Sequence, residues 1–446
     1  MDSSQNAQKG RFGFPPPEDR IPARHAEADK LAPAALLRSL LDAAIGSANP
    51  LVVLARHLPP RPKGRCVVVG AGKAAASMAA AVEAAWPDVP LSGVVVAPYG
   101  YGGTCRYVRI CEAGHPVPDE SSVAAAQAIL DCVGDLGPED MVLALISGGG
   151  SAAMCLPAPG VSLADKQATN RLLLSSGLDI RTMNAVRRRI SGIKGGQLAA
   201  AAFPARVVTL AISDIPGDDA RTIASGPTAA DPDAALDLMA VVDKLGPALP
   251  ESVRNRLRKP GACRVLDNAA PITLIATPAM ALAAAAAKAR SLGLAAEVLG
   301  DALEGESRDV ARSMAAMTTE VDRPTVLLSG GETTVTIGTG KAGRGGRNTE
   351  FTLALACALD GRQDVWAIAA DTDGEDGASL GAAGAICGPE TLRRARMAGL
   401  EPETCLAEHD SGTFFERLDD LVITGPTRTN VNDFRAILIL PRQGGR

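Results

Sequence analysis

Short apolar runs alternate with longer stretches of helical periodicity along most of this chain. The runs include VVVG at 67–70, MVLALIS at 141–147 and RVVTLAIS at 206–213. Strands that alternate with helix-length connections are typical of a parallel sheet covered by helices on both faces. The pattern therefore predicts an α/β fold, with helices at 31–46, 120–136, 162–177 and 180–202 in the first half.

The chain of 446 residues is longer than one hydrophobic core usually supports, so we expect two domains. A polar stretch with Pro and Gly at 254–271 marks the boundary, and a new strand-helix series opens after it with ITLIATPAMALAAAAAKARSLG. We predict a loose tail over 1–29, an N-terminal domain over 30–262 and a C-terminal α/β domain over 268–446.

Composition narrows the class of ligand. A net charge of −5 and an aromatic content of 3% disfavour a nucleic-acid surface, which needs basic patches and stacking rings. No window is apolar enough for a membrane span or a signal peptide. The nine cysteines include no C-x-x-C pair, so we expect neither a zinc site nor a disulfide framework. We predict a cytoplasmic protein that binds small molecules, and the composition leaves its oligomeric state open.

The segment CVVVGAGKAAAS at 66–77 predicts a strand, a glycine turn and a helix start. A helix N-terminus offers N–H groups to an anion, so Gly70, Gly72 and Lys73 are candidates for binding phosphate. The G-x-G-x-x-A pattern also fits a dinucleotide site, but the next strand, GVVVAPYG, ends without the carboxylate that would bind ribose. A Walker A loop is excluded because Ala74 stands where Ser or Thr is required. The remaining alternative is a tight turn with an exposed lysine.

Two further apolar strands run into Ser-Gly-Gly, at SGGGS (147–151) and SGGE (329–332). Backbone N–H groups in such loops surround phosphate, and ligands of parallel sheets lie beyond the carboxyl ends of the strands. The candidate substrate- or nucleotide-binding residues here are Ser147, Gly148, Gly149, Gly150, Ser151, Ser329, Gly330, Gly331 and Glu332.

Acidic residues also follow predicted strands. Asp214 comes two residues after one strand, and Asp371 and Asp373 lie in AADTDGEDG after another. Carboxylates at strand ends bind Mg²⁺ or orient an attacking hydroxyl, although solvated turn residues are commoner. The second segment lacks the distant bidentate glutamate of an EF-hand loop, so we reject that interpretation.

Basic residues supply the opposite charge. Arg347 and Asn348 stand where the glycine-rich loop GTGKAGRGG meets a predicted helix, and a guanidinium held there can clamp a phosphoryl group. Arg187, Arg188, Arg189 and Lys194 lie in NAVRRRISGIKGGQLA, and one of them could meet a substrate carboxylate. The alternative for each is an ordinary solvated side chain.

Together these segments resemble one known family, the class II glycerate kinases, some of whose members have been labelled hydroxypyruvate reductases. The matching segments, in order over residues 66–433, are VGAGKAA, EAGHPVPDESS, LISGGGSA, NAVRRRISGIKGGQLA, AISDIPGDD, IASGPT, LLSGGETTV, GRGGRNTEF, AADTDGEDG and ITGPTRTNVND. The resemblance implies two α/β domains, the first Rossmann-like with a mainly parallel sheet and the second smaller. It also implies an active site in the cleft between them.

The resemblance further implies an activity: ATP-dependent phosphorylation of D-glycerate at the 2-hydroxyl, with Mg²⁺, to give 2-phosphoglycerate and ADP. Lys73 and Arg347 match the positions to which the family looks for catalysis, and here they would neutralise the γ-phosphoryl group. Asp214 would orient the hydroxyl or bind Mg²⁺, and Asp371 and Asp373 are further candidate metal ligands. No residue pattern distinguishes a 2-hydroxyl from a 3-hydroxyl.

Two other functions remain open at this point. An NAD(P)H-dependent hydroxypyruvate reductase would need a nicotinamide site, which the missing ribose-binding carboxylate disfavours. A non-catalytic binder of small phosphorylated acids would need only the glycine loops, and the presence of Lys73 and Arg347 counts against it. His115, in GHPVPD, is as readily a structural residue as a catalytic one.

Overall fold

The computed structural model describes residues 32–215, 217–261, 266–338, 342–379 and 381–442 of the chain. The predicted tail over 1–29 and Cys263 lie outside the described residues.

The first sheet carries the predicted parallel strands. Its strands are β1 (Cys66–Ala71), β2 (Leu91–Pro98), β3 (Arg109–Ala113), β4 (Met141–Ile146), β5 (Arg206–Ile212) and β6 (Thr273–Ala276). They pair in the order β3-β2-β1-β4-β5-β6, and every pair is parallel. The order reverses between β1 and β4, which is the point where ligands of doubly wound sheets bind. The prediction of a parallel sheet is confirmed.

Helices cover both faces of this sheet. In the first half they are α1 (Pro33–Ser47), α2 (Pro50–Val53), α3 (Ala75–Ala85), α4 (Glu120–Val133), α5 (Gly150–Ala153), α6 (Leu163–Ser175), α7 (Ile180–Arg189), α8 (Gln197–Ala201), α9 (Met239–Leu245) and α10 (Glu251–Leu257), with 3-10 turns at Leu54–His57, Ile223–Ser225 and Gly246–Ala248. Val68 of β1 shares an apolar core with Val82 of α3. Its neighbour Val69 faces the other core, with Ile129 of α4. Alternate residues of one strand thus serve opposite faces.

The helix predicted over 180–202 is two helices in the structure. Helix α7 ends at Arg189, and α8 begins at Gln197 directly after Gly195 and Gly196, which have φ of 61° and 81°. These left-handed values interrupt a helix, and glycine adopts them without steric cost. The break places Lys194 in the loop between the two helices.

The second sheet is mixed. Its strands and those nearby are β7 (Ala295–Gly300), β8 (Gly305–Glu306), β9 (Thr325–Ser329), β10 (Thr333–Thr334), β11 (Val365–Asp371), β12 (Gly384–Cys387), β13 (Leu421–Val422) and β14 (Asp433–Ile439). The helices of this half are α11 (Pro278–Ser291), α12 (Ser307–Met317), α13 (Arg347–Leu359), α14 (Thr391–Met397), α15 (Pro402–Ala407) and α16 (Ser411–Leu418). The sheet order is β13-β12-β11-β14-β9-β7, and β8 pairs with β10 separately.

Strand β14 brings acidic residues of two strands to the same edge of the second sheet. It runs antiparallel to both β9 and β11, so Asp433 at its start lies opposite Asp371 at the end of β11. The beginning of one strand and the end of its neighbour therefore present their side chains at the same edge.

Two elements pack against the half of the chain that lies across the predicted domain boundary. Strand β6, assigned from the sequence to the second series, pairs with β5 in the first sheet. Helix α1, assigned to the first domain, packs against α11 and against β11 and β14 of the second sheet. One apolar core, which includes Val68, Leu37 and Phe434, consequently runs through both halves. The division at 262–268 itself stays a prediction.

No single helix in the described residues is long and apolar enough to cross a membrane, although the bent pair Pro33–Ser47 and Pro50–His57 has the length and composition. The described cysteines are all free; Cys66, Cys155 and Cys387 are buried and the others are half-buried.

Candidate active site

Three adjoining cavities meet at Gly149, which lines each of them. The acidic cavity, of about 450 Å³, is lined by Lys73, His115, Asp214, Glu332, Arg347, Asp371, Asp373, Glu375, Asn430 and Asn432, among others. The basic cavity, of about 380 Å³, is lined by His115, Ser151, Cys155, Lys166, Asn170, Arg187 and Lys194, among others. The wide cavity, of about 900 Å³, is lined by Gly148, Ser151, Arg181, Asn184, Asp214, Arg221 and Glu332, among others.

Lys73 enters the acidic cavity from the loop after β1. Its ammonium group forms an ion pair with Asp373 and lies 5.5 Å from the centre of the Tyr101 ring. Burial opposes the charge of Lys73, but the carboxylates of Asp373 and Asp371 outweigh it and raise the pKa of the lysine. Lys73 is therefore a fixed cation at the junction of the two halves.

Arg347 enters the same cavity from the first residue of α13. Its Nε donates to Asp433 at 2.7 Å, one terminal nitrogen to Asp371 at 2.6 Å, and the other to Glu332 at 3.2 Å. Burial opposes its charge, but these three carboxylates raise the pKa of the guanidinium. The side chain is held on all sides while keeping 27% of its surface exposed.

Asp433 fixes the orientation of Arg347, and sequence reasoning did not single it out. Its second oxygen accepts from Arg435 at 2.6 Å, and its first also accepts from the Asn348 amide at 2.8 Å. Arg435 is fully buried and stacks over the Phe351 ring. Asn348, predicted to bind ligand, is likewise buried and serves Asp433 and Asp376 instead of lining a cavity.

The helix mouth after β1 does not offer the N–H groups that the sequence led us to expect. Gly72 N–H donates to Val96, Lys73 N–H to Gly148, Ala74 N–H to the Ser147 hydroxyl, and Ala75 N–H to Gly72. A Cβ at Gly70 would lie 2.3 Å from the Leu145 carbonyl oxygen, and one at Gly72 would lie 2.3 Å from the Ser147 hydroxyl. The glycines thus allow β1 and β4 to approach closely. Lys73 alone of this motif faces the cavity.

The mouth of α13 is also closed, by a protein carboxylate. Asp376 accepts hydrogen bonds from the N–H groups of Asn348 and Thr349, both at 2.8 Å, and from the Thr349 hydroxyl at 2.9 Å. Burial raises the pKa of Asp376 to about 6 in spite of these bonds. A helix N-terminus favours a nearby negative charge, and here the carboxylate of Asp376 occupies that position.

Replacing Asp376 with alanine is expected to lower the free energy of unfolding by about 2–4 kcal/mol, because the buried donors of α13 lose their acceptor. Urea denaturation of the variant measures this. Glu375→Ala is the matched control, since its side chain is the neighbouring carboxylate and does not cap the helix. A loss below about 0.5 kcal/mol in Asp376→Ala would contradict the capping role.

The two Ser-Gly-Gly loops differ in the structure. In the first, Gly148, Gly149 and Ser151 line cavities, while Ser147 and Gly150 are buried beneath them. In the second, Ser329 and Gly331 are buried, Gly330 N–H donates to Gly300 at 2.8 Å, and a Cβ at Gly331 would lie 2.2 Å from Leu303. Of that loop only Glu332 lines the cavities described above.

Asp214 lies at the wall between the acidic and wide cavities. Its carboxylate accepts from the Asn430 amide at 3.2 Å, and its carbonyl oxygen accepts from the Asn432 amide at 3.1 Å. Burial, with the nearby charge of Glu332, raises its pKa to about 6, although Lys73 acts in the opposite direction. Contacts with both asparagines hold this strand end of the first half against the second half.

Gly148 leaves the space that Asp214 occupies. A Cβ at this position would lie 1.7 Å from Oδ2 of Asp214, and the backbone conformation of Gly148 is one that alanine accepts. Gly148→Ala should therefore displace the carboxylate, lower kcat by about 10- to 100-fold and lower the free energy of unfolding by about 1–3 kcal/mol. The matched control is Gly46→Ala, which meets no atom within 4 Å. Equal kcat in the two variants would show that the position of Asp214 is unimportant.

No group of three or more His, Cys, Asp or Glu side chains is placed to hold a metal within the described part of the chain. Asp371 and Asp373 are already paired with Arg347 and Lys73, whereas Asp214 forms no ion pair in that part of the chain. Mg²⁺ usually takes one or two carboxylates and completes its shell with phosphate and water oxygens. The residues therefore fit a magnesium ion held mainly by a phosphate ligand, with Asp214 as the protein carboxylate.

Sequence reasoning missed Tyr101, Asn430, Asn432 and Asp433. It considered the carboxyl ends of strands, whereas Asn430 and Asn432 precede β14 and Asp433 is its first residue. The segment NVND before an apolar strand was a usable signal, since an antiparallel strand begins at the edge where its neighbour ends.

Two family profiles match this chain. Residues 36–258 match a domain described as a domain of unknown function (DUF4147), and residues 325–433 match the MOFRL family.

Named proteins are similar over nearly the whole length. A putative hydroxypyruvate reductase of Agrobacterium vitis is 54% identical over 417 residues, which cover 91% of this chain and 94% of that protein. A glycerate 2-kinase of Pyrococcus horikoshii is 37% identical over 422 residues, which cover 91% of this chain and 94% of that protein. The crystal structure of glycerate kinase from Thermotoga maritima matches with a TM-score of 0.83 and 36% identity, covering 91% of this chain and 99% of that chain.

Proposed function

Because the chain belongs to the glycerate 2-kinase family, we propose that it transfers the γ-phosphoryl group of ATP to the 2-hydroxyl of D-glycerate. One observation carries the proposal: Lys73 and Arg347, from different halves of the chain, face one cavity of about 450 Å³. Phosphoryl transfer requires convergent cations, because charge builds up on the equatorial oxygens in the transition state.

Arg347 can exchange one partner without losing its position. Asp433 and Asp371 are buried, but Glu332 is 53% exposed and its bond is the longest of the three. A phosphoryl oxygen would replace Glu332, while the two buried carboxylates keep the guanidinium in place. The choice of the 2-hydroxyl over the 3-hydroxyl is proposed from the name of the Pyrococcus relative, a glycerate 2-kinase.

The nucleotide is proposed to occupy the wide cavity, whose volume of about 900 Å³ lies within the range of small-molecule sites. Arg181 and Arg221 line it, paired with Asp233 and Asp219, and phosphate oxygens would take over part of these pairings. Mg²⁺ is proposed as the cofactor, with Asp214 as the protein carboxylate that holds it; when bound, it would neutralise charge on the phosphate oxygens. Asp371 and Asp373 act by holding the two cations.

The wall between the acidic and wide cavities is where the acceptor hydroxyl would lie. Asp214 borders both cavities, so its carboxylate is within reach of a hydroxyl that approaches a phosphoryl group there. Orienting this hydroxyl and taking up its proton is the alternative role of Asp214 to holding Mg²⁺. A cytoplasmic location remains part of the proposal, and the free cysteines support a reducing compartment.

A nicotinamide-dependent reductase is the second candidate because of the name of the Agrobacterium relative. In dinucleotide sites the pyrophosphate binds the N–H groups of the first glycine turn. Here the four N–H groups from Gly72 to Ala75 already have acceptors within the protein. The site geometry therefore favours the kinase.

The deciding experiment incubates the protein with D-glycerate, ATP and Mg²⁺ and detects product through enolase, which accepts 2-phosphoglycerate. A signal without phosphoglycerate mutase is expected. A signal that needs the mutase would mean phosphorylation of the 3-hydroxyl. If no signal appears with or without the mutase, and the protein oxidises NADH in the presence of hydroxypyruvate, the proposed kinase activity is wrong and the protein is a reductase.

A further inference from the structure

Three cations in the basic cavity have no carboxylate partner. Lys166 on α6 and Lys194 after α7 are 2% and 3% exposed, and Arg187 on α7 is half-buried. None of the three forms an ion pair within the described part of the chain, and no Asp or Glu lines the cavity. The next residue shows the usual arrangement: Arg188 pairs with Asp231 and Asp233.

Neutral groups satisfy the hydrogen bonds of these cations but not their charge. Lys166 donates to the Ile190 carbonyl oxygen at 3.2 Å, and Lys194 donates to the carbonyl and hydroxyl oxygens of Ser151, both at 2.7 Å. Arg187 donates to the Asn184 amide oxygen at 3.1 Å. Buried charge without a counter-charge is unfavourable, so the cavity strongly favours an anion.

A second observation concerns the shape of the ligand. The side-chain oxygen of Asn170 is buried in the cavity wall and has no hydrogen-bond partner among the described residues. A buried acceptor of this kind requires a donor, which a carboxylate lacks and a hydroxyl supplies. The three cations therefore fit the acid group of a small molecule, and a hydroxyl on the same molecule would supply the kind of donor that Asn170 lacks.

The position of the cavity connects it to the reaction. His115, Pro116 and Gly149 line both the basic and the acidic cavity, so they form a wall shared by the two. A ligand held by its acid group on one side can extend its reacting hydroxyl past Gly149, whose missing side chain leaves the passage open.

We propose that the basic cavity is the acceptor subsite, in which Lys166, Arg187 and Lys194 bind the carboxylate of a small hydroxy acid. The inference rests on the proposed function and deepens it, because it assigns specificity for an acid to these residues. The nucleotide is the competing ligand, and the wide cavity, which is more than twice as large, has the room for it.

Arg187→Gln and Lys194→Met test the assignment by steady-state kinetics. We expect each to raise the KM for D-glycerate by about 10- to 100-fold, since each removes a charged hydrogen bond. Lys194→Met should leave the KM for ATP within about twofold, because Lys194 does not line the wide cavity, whereas Arg187 lines both cavities. Arg187→Lys should recover part of the loss. Arg171→Gln is the matched control, because Arg171 is exposed on the same helix as Lys166. A rise in the KM for ATP instead would assign the cavity to the nucleotide and overturn the proposal.

Proton uptake on ligand binding tests whether Lys194 contacts the carboxylate, because a purely structural lysine would not change its protonation when ligand binds. The titratable and charged groups that face Lys194 are Lys166, Arg187 and Cys155. His115, in the same cavity, stays neutral because burial and the charge of Lys73 lower its pKa to about 4. Burial, with the charge of Lys166, lowers the pKa of Lys194 to about 7, so at about pH 8 most of it is neutral without ligand. A bound carboxylate raises this pKa again, and the protein then takes up a proton.

Calorimetry of D-glycerate binding in two buffers of different ionisation enthalpy measures that proton. We expect uptake approaching one proton at about pH 8 and less at about pH 6. In Lys194→Met the uptake should fall to what Lys166, whose pKa burial also lowers, contributes. Glycerol, which lacks the carboxylate, should bind neither protein measurably. Equal proton uptake by wild type and Lys194→Met would contradict the assignment.

The two proposals fail in different ways. Binding of D-glycerate with proton uptake but without phosphorylation would remove the kinase and retain the acid subsite. Phosphorylation of D-glycerate with an unchanged KM in Arg187→Gln and Lys194→Met would retain the kinase and remove the subsite.

Discussion

Replacing Arg347 with alanine is expected to lower kcat by about 10³- to 10⁵-fold, the range that a charge-stabilising arginine contributes to phosphoryl transfer. The structure supports a large effect because three carboxylates fix the guanidinium in the cavity, which keeps it oriented before substrate binds. The enolase-coupled assay at saturating D-glycerate and ATP measures kcat directly.

Two controls separate catalysis from structure in this experiment. Arg344, in the same loop, pairs at the surface with Glu416, so Arg344→Ala should keep kcat within about threefold. Arg347→Lys keeps the charge but loses the fork geometry and should remain at least about tenfold impaired. The stability of the Arg347 variants must also be measured by urea denaturation. Removing the guanidinium leaves the buried carboxylates of Asp433 and Asp371 with less positive charge to balance them. A loss of kcat below about tenfold in folded Arg347→Ala would contradict its role.

Lys73→Met is expected to lower kcat by about 10²- to 10³-fold, because one fixed cation beside the transferring group is lost. Methionine keeps most of the apolar stem of the side chain and removes the ammonium group, which lies 5.5 Å from the centre of the Tyr101 ring. The control is Lys63→Met, whose exposed ammonium lies 3.6 Å from Glu139.

A double-mutant cycle identifies what Lys73 does. The variant loses the partner of Asp373, so Lys73→Met destabilises the fold and Asp373→Asn should restore part of the stability. The double variant should nevertheless stay inactive, since neither side chain then supplies the cation. Recovery of kcat in the double variant would mean that Lys73 serves only to neutralise Asp373.

Local patterns predicted much of this protein correctly. The strand-helix alternation predicted the parallel sheet, and the helices at 31–46, 120–136 and 162–177 are confirmed within a few residues as α1, α4 and α6. The ordered motifs identified the family, which the comparisons confirm. These features depend on the periodicity and turn chemistry of contiguous residues, which a sequence displays directly.

The interpretation of the glycine motifs was wrong in one respect. Three motifs were expected to offer backbone N–H groups to phosphate, yet in two of them the donors, from Gly72 to Ala75 and that of Gly330, have acceptors within the protein. Whether a donor is free depends on which strand lies beside the turn, and the partners Val96, Ser147 and Gly300 are distant in sequence or on another strand.

The sequence by itself determined the fold class, through its strand-helix alternation, and the family, through its ordered motifs, and it singled out Lys73 and Arg347 as candidate cations. Periodicity and short motifs are visible in contiguous residues. Only the tertiary structure decided the setting of these two cations: Asp433 opposite Asp371, the closed helix mouths, and a basic cavity that contains no carboxylate. The physical reason is that charge balance and burial depend on pairs of residues far apart in the chain. Strand order and loop packing bring those pairs together, and no local pattern encodes them.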